Sequence, residues 1–139
     1  MKNKENFVFA IIILILIFIS ISENLYAENY IKNISYCAGQ AKLCGFVNAE
    51  LADKISVQLF DSDSKPLKNS VVYFEIVKKP SNGENCGLVT EKAFTDENGI
   101  ASTKFICGNA NGIYAVSAIS PLAENTAYIE IEGKNQSWW

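Results

Sequence analysis

The chain has no histidine and no arginine; all 12 basic residues are lysine, against 15 acidic ones, for a net charge of −3. Without imidazole there is no histidine base, no histidine metal ligand and no Ser/His or Cys/His nucleophile pair. Without guanidinium there is no bidentate phosphate clamp, and a net negative chain lacks the basic footprint of a nucleic-acid binder. Beyond the first 27 residues no window holds a sustained helical period of apolar residues, which argues against a helical domain. Nor do any two of the four cysteines have the Cys-x-x-Cys spacing of structural zinc sites. The expectation is a protein that is not an enzyme, needs no cofactor and does not bind nucleic acid.

What the chain does have begins at its N-terminus. Lys2 and Lys4 precede an unbroken apolar run from Phe7 to Ile19, followed by polar Ser20 to Asn24 and then Leu25-Tyr26-Ala27. A spanning helix needs about 20 apolar residues, whereas about 10 to 14 behind a basic start is the core of a signal peptide. Cleavage after Ala27 or after Ser22 would leave a small residue at the cut. An uncleaved anchor is the alternative, because Ile21 lengthens the core and Leu25 is bulky for its place. The chain is therefore expected to be exported: periplasmic, at the cell surface or secreted, and membrane-anchored if the leader stays. The leader occupies residues 1–27 and a polar linker 28–35. One domain follows at 36–133, and a tail at 134–139 ends in Trp138 and Trp139, a pair suited to a membrane interface.

Within the domain, apolar and polar residues alternate in short runs separated by Gly, Pro, Asn and Asp. Ile55, Val57 and Leu59 alternate with Ser56 and Gln58; Val72, Phe74 and Ile76 oppose Val71, Tyr73, Glu75 and Val77. Ala101, Thr103 and Phe105 alternate with Ser102 and Lys104, and the pattern recurs at Tyr114, Val116, Ala118 and at Ala127, Ile129, Ile131. With a ragged first strand around Cys44 to Val47, this predicts an all-β, antiparallel sandwich of about seven strands. The sharpest local signal is Thr95-Asp96-Glu97-Asn98-Gly99-Ile100-Ala101. It predicts a hairpin joining Leu88–Phe94 to Ala101–Ile106, with Asn98 and Gly99 supplying positive φ.

Cys37, Cys44, Cys86 and Cys107 in a small exported chain imply two disulfides, with three connectivities open. Pairing Thr95 with Ile100 places Cys107 opposite Leu88, two residues from Cys86, which favours Cys86–Cys107 and leaves Cys37 for Cys44. The crossed pairings stay open.

Asp61 to Ser70, Val71-Val72-Tyr73-Phe74-Glu75-Ile76, Thr95 to Ala101, and Gly112-Ile113-Tyr114-Ala115-Val116-Ser117-Ala118 resemble, in order and spacing, the bacterial immunoglobulin-like domains of the invasin/intimin type. The resemblance covers about 90 residues and implies an immunoglobulin-like sandwich. Two departures are Ser64, where that family usually has Gly or Asn, and the cysteines, which it generally lacks. A narrower resemblance joins Gly39-Gln40 to Val47 with the extracytoplasmic N-terminal domain of certain sodium/phosphate cotransporter-family proteins.

Candidate sites are few. Tyr73 and Tyr128 fall on outward faces and are candidates to stack on or pack against a partner. Trp138 and Trp139 are candidates for a membrane or partner contact. Asp61, Asp63, Asp96 and Glu97 gather at one end and are a weak Ca²⁺ candidate; turn formation by their carboxylates is the favoured reading. The functional expectation is a non-enzymatic module for binding, adhesion or spacing at the cell envelope, toward an unidentified protein or cell-surface partner. The alternative is a detached N-terminal domain of a cotransporter-type membrane protein.

Overall fold

The computed structural model describes residues 11–13, 28–37 and 42–136. The remainder of the expected leader, Gly39-Gln40 and the Trp138–Trp139 pair lie outside the described residues, among which no helix is long and apolar enough to cross a membrane.

The alternating runs become the strands. In chain order these are β1 (Tyr30–Asn33), β2 (Leu43–Phe46), β3 (Ile55–Phe60), β4 (Val71–Lys78), β5 (Gly87–Leu88), β6 (Lys92–Phe94), β7 (Ile100–Thr103), β8 (Phe105–Ile106), β9 (Gly112–Ile119) and β10 (Ala127–Lys134). One sheet has the order β1-β3-β7, a second β2-β10-β9-β4-β6, and β5-β8 form a short ladder of their own. Because side chains alternate across a strand, one parity of each run enters the space between the sheets. Ile55, Val57, Leu59, Val72, Phe105, Tyr114, Val116, Ala118 and Ile131 are all fully buried there. The core is the predicted one, and the fold is the predicted immunoglobulin-like sandwich.

Three expectations are corrected. The segment 28–35 is not simply a linker, since β1 lies in it, antiparallel to β3, with Ile31 buried. The Asn125 side chain holds the outer edge of this strand, accepting from Ile31 N–H and donating to Ile31 C=O, both at 2.8 Å. That long-range contact has no local signature. Between β1 and β2 the chain passes from one sheet to the other, where β2 pairs parallel to β10.

Second, the run from Leu88 to Ile106 is not one hairpin. β5 pairs with β8, but β6 leaves to join β4 in the other sheet. Thr95 anchors the crossing: buried, its hydroxyl accepts from Ser70 N–H and donates to Leu67 C=O at 2.6 Å. Alternation marks a strand but not the sheet it joins. Third, the turn itself is shorter than expected. Asp96 N–H donates to Ile100 C=O and Gly99 N–H to Asp96 C=O, which encloses Glu97, Asn98 and Gly99, and of these only Gly99 has positive φ, 72°. This is the three-residue hairpin loop with its left-handed residue in third place.

Candidate functional site

The five-stranded sheet turns its other parity to solvent, and there the sequence leaves large apolar side chains uncovered. Tyr73 on β4 is 46% exposed, Phe94 on β6 62%, Ile119 on β9 43% and Tyr128 on β10 64%. Their registers make them neighbours. Tyr73 pairs with both Lys92 and Ile119, Phe94 with Val71, and Tyr128 with Ser117. Lys92 Nζ lies 5.9 Å from the Tyr73 ring centre and 5.4 Å from that of Phe94, within cation–π range of both faces.

At the middle of this patch Ser117 pairs with Tyr128 on one side and Glu75 on the other. It is only 3% exposed, and its Oγ is buried with no hydrogen-bond partner among the described residues. A hydroxyl buried without a partner costs about 1–3 kcal/mol.

Farther along β10 the same face changes character. Glu130 meets Lys42 at 2.9 Å and Glu132 meets Lys134 at 3.3 Å. Hydrogen bonding to Lys42 holds the Glu130 carboxyl below its usual range, and the same bond raises the Lys42 ammonium. The face is thus apolar in one half and ion-paired in the other. Beside it an open groove of about 640 Å³ runs between β4 and β5, lined by Phe74, Ile76 and Leu88 with Glu75 and Glu91.

Sequence reasoning placed Tyr73 and Tyr128 outward, and the structure brings them onto one face. It missed Phe94, Ile119 and Ser117. Parity alone assigns Ile119 and Ser117 to the outer side, but Phe94 required knowing that β6 changes sheets.

The acidic group at the upper end is used locally. Asp61 Oδ1 accepts from the N–H groups of Asp63 and Lys65, both at 2.9 Å, and Asp96 Oδ1 accepts from those of Asn98 and Ile100 at 2.8 and 2.9 Å. Glu97 pairs with Lys68 at 3.2 Å, and Asp63 is exposed. The carboxylates of Asp61 and Asp96 therefore serve their own turns. Among the described residues, no group of three or more His, Cys, Asp or Glu is arranged to hold a metal ion.

The lower end is built around Tyr114. Its hydroxyl donates to Ala110 C=O at 2.6 Å, and its ring meets Phe105 edge-on at 5.5 Å. Glycine makes the space: a Cβ at Gly133 would stand 2.9 Å from the Tyr114 ring, and one at Gly108 3.0 Å from its hydroxyl. Burial pushes the Tyr114 phenol up, as it does the neighbouring Cys107 thiol.

All four cysteines are thiols in the structure. Cys37 Sγ and Cys44 Sγ stand 2.9 Å apart. β5 and β8 pair Leu88 with Phe105 and Gly87 with Ile106, so the next step of the register sets Cys86 opposite Cys107. That register differs from the expected one by two residues, because residues 91–95 cross to the other sheet.

No family model and no curated protein matches this chain. Among solved structures it is similar to the D00-D0 domain of intimin, with TM-score 0.58 and 15% identity over 76% of this chain and 46% of that one. It is also similar to the ZirS C-terminal domain, with TM-score 0.50 and 16% identity over 76% of this chain and 65% of that one. The chain thus spans about half the length of the intimin fragment it matches. Nothing in these matches supports the cotransporter resemblance. At such identities the likeness speaks to fold alone, and it identifies the fold as an immunoglobulin-like β-sandwich of the intimin type.

Proposed function

We infer that this chain is an exported, non-enzymatic immunoglobulin-like module that works by contact at the bacterial cell envelope, through the outer face of its five-stranded sheet. The observation that carries the reading is the uncovered patch of Tyr73, Phe94, Ile119 and Tyr128 on one sheet face. Aromatic residues in contiguous exposed patches mark interaction surfaces, since they bury much area for little lost rotamer freedom. The signal-peptide pattern at residues 1–27 supports export, and the absence of histidine and arginine supports a contact role over a catalytic one. The fold by itself does not choose among functions. Any membrane attachment would run through the apolar leader or the Trp138–Trp139 pair.

The test is binding of the purified mature protein to envelopes isolated from the producing bacterium. The Tyr73→Ser/Tyr128→Ser double variant, with an unchanged far-UV spectrum, is expected to bind at least about tenfold more weakly, as when two aromatic anchors are lost. Equal binding by the variant would remove the face from the reading. No binding by the wild type would leave a spacer.

A further inference from the structure

We propose that the mature protein carries two disulfides, Cys86–Cys107 and Cys37–Cys44, with different roles: the first a staple anchored at one end in the core by fully buried Cys107, the second a clip with both cysteines half-buried and therefore more readily reduced. Sequence left three connectivities open; the fold selects one. Val89 N–H donates to Lys104 C=O, a hydrogen-bonded pair just beyond the β5–β8 ladder and in its register. Pairs alternate along an antiparallel ladder, which makes Cys86 and Cys107 a non-hydrogen-bonded pair. Consistent with that, the Cys107 N–H points elsewhere and donates to Ala49 C=O at 2.9 Å. Non-hydrogen-bonded partners lie about 4.5 Å apart at Cα with their side chains closest, inside the roughly 4.4–6.8 Å window of a disulfide. The staple extends a ladder of only two residue pairs, beside Tyr114; Cys107 is fully buried, while Cys86 is half-buried at the open groove.

The second pair sits where the chain changes sheets. Cys37 follows β1, Cys44 is in β2, and Cys44 pairs with Glu132 on β10. Glu132 has the same parity as exposed Tyr128 and Glu130, which places Cys44 on the outer face of the five-stranded sheet. Both cysteines are half-buried, and the 2.9 Å separation of their sulfurs is already inside van der Waals contact. A bond there would tie the sheet-crossing segment to the edge of the five-stranded sheet.

Each bond forms as two thiols lose two protons and two electrons to the disulfide of an exported thiol–disulfide oxidoreductase. One cysteine thiolate attacks that disulfide, and the second displaces the oxidoreductase as its dithiol. This step rests on the reading of the chain as exported; the pairing rests on geometry alone.

Two preparations separate these. Lysine-specific digestion places each cysteine in its own peptide, because Lys42 lies between Cys37 and Cys44 while Lys92 and Lys104 lie between Cys86 and Cys107. In protein taken from the envelope fraction and alkylated without reductant, the expected result is a Cys86 peptide joined to the Cys107 peptide and a Cys37 peptide joined to the Cys44 peptide. Protein refolded with oxidised glutathione should give the same two. Crossed peptides in the refolded protein would overturn the pairing. Free thiols in the cell-derived protein, with correct pairs in the refolded one, would overturn oxidation in the cell while leaving the geometry standing. Increasing dithiothreitol on the native protein should release Cys37 and Cys44 to alkylation first, with Cys86 and Cys107 following only on unfolding; simultaneous release would sink the division of roles.

Discussion

The upper end of the sandwich contains one turn built twice, and only one copy has the residue that suits it. In Asp61–Lys65 and in Asp96–Ile100 the first aspartate N–H donates to the carbonyl of the fifth residue, and its own carbonyl accepts from the fourth. In both, its Oδ1 accepts from the third and fifth N–H groups. The fourth residue takes the left-handed conformation: Gly99 at φ 72° and Ser64 at φ 61°. Glycine enters that region freely, whereas an L side chain there costs about 1–2 kcal/mol. The difference tracks packing. A Cβ on Gly99 would stand 2.7 Å from Leu59 C=O and 3.0 Å from Pro66 Cβ, while Ser64 faces solvent. Glycine is retained where sterics and conformation both demand it, and serine stands where conformation alone objects.

Gly99→Ala has the largest expected effect, because it adds a forbidden conformation to a clash with the turn beneath it. It should cost about 2–4 kcal/mol, read as a lowered urea midpoint. A loss equal to the conformational term alone would show that the two turns are not in firm contact. Next come the aspartates. Asp96→Ala should cost about 1–2 kcal/mol, because its turn is clamped against Leu59 and cannot relax around two orphaned N–H groups. Asp61→Ala should cost about half of that, its turn being free to rearrange into water. Equal losses in thermal melts would dissolve the distinction. The smallest effect is a gain. Ser64→Gly relieves the left-handed side chain but raises the entropy of the unfolded chain, leaving about 0.5–1 kcal/mol of added stability. No gain would mean that Ser64 is held there by something beyond its backbone, with the Tyr30 hydroxyl 3.4 Å away as the candidate.

Much of this molecule is legible from local pattern. Ile55, Val57 and Leu59, or Ala127, Ile129 and Ile131, announce their buried side because a strand repeats every two residues and one face of each sheet must leave water. The same rule puts Tyr73 and Tyr128 outside. Tyr114 was legible as a core residue from its alternation with Val116 and Ala118, though not its hydroxyl's bond to Ala110 or the Gly108 and Gly133 contacts that make room for it. Those glycines come from other strands and loops, so nothing near Tyr114 in the chain reports them. β1 was missed for a similar reason: its edge is completed by Asn125, 94 residues away from Ile31.

Sequence alone determined that the chain is a β-sandwich, which parity of each strand is buried, and that two turns at one end are held by aspartate. These are consequences of period, turn chemistry and side-chain hydration, all of which act over a few residues. Tertiary structure decided that β6 leaves its apparent hairpin for the other sheet, carrying Phe94 onto the aromatic face, and that the register shift which follows sets Cys86 opposite Cys107. Both depend on which strand edge offers hydrogen bonds to a segment once the core has closed. Edge partners are chosen by the folded whole, and a strand's own alternation reads the same beside any of them.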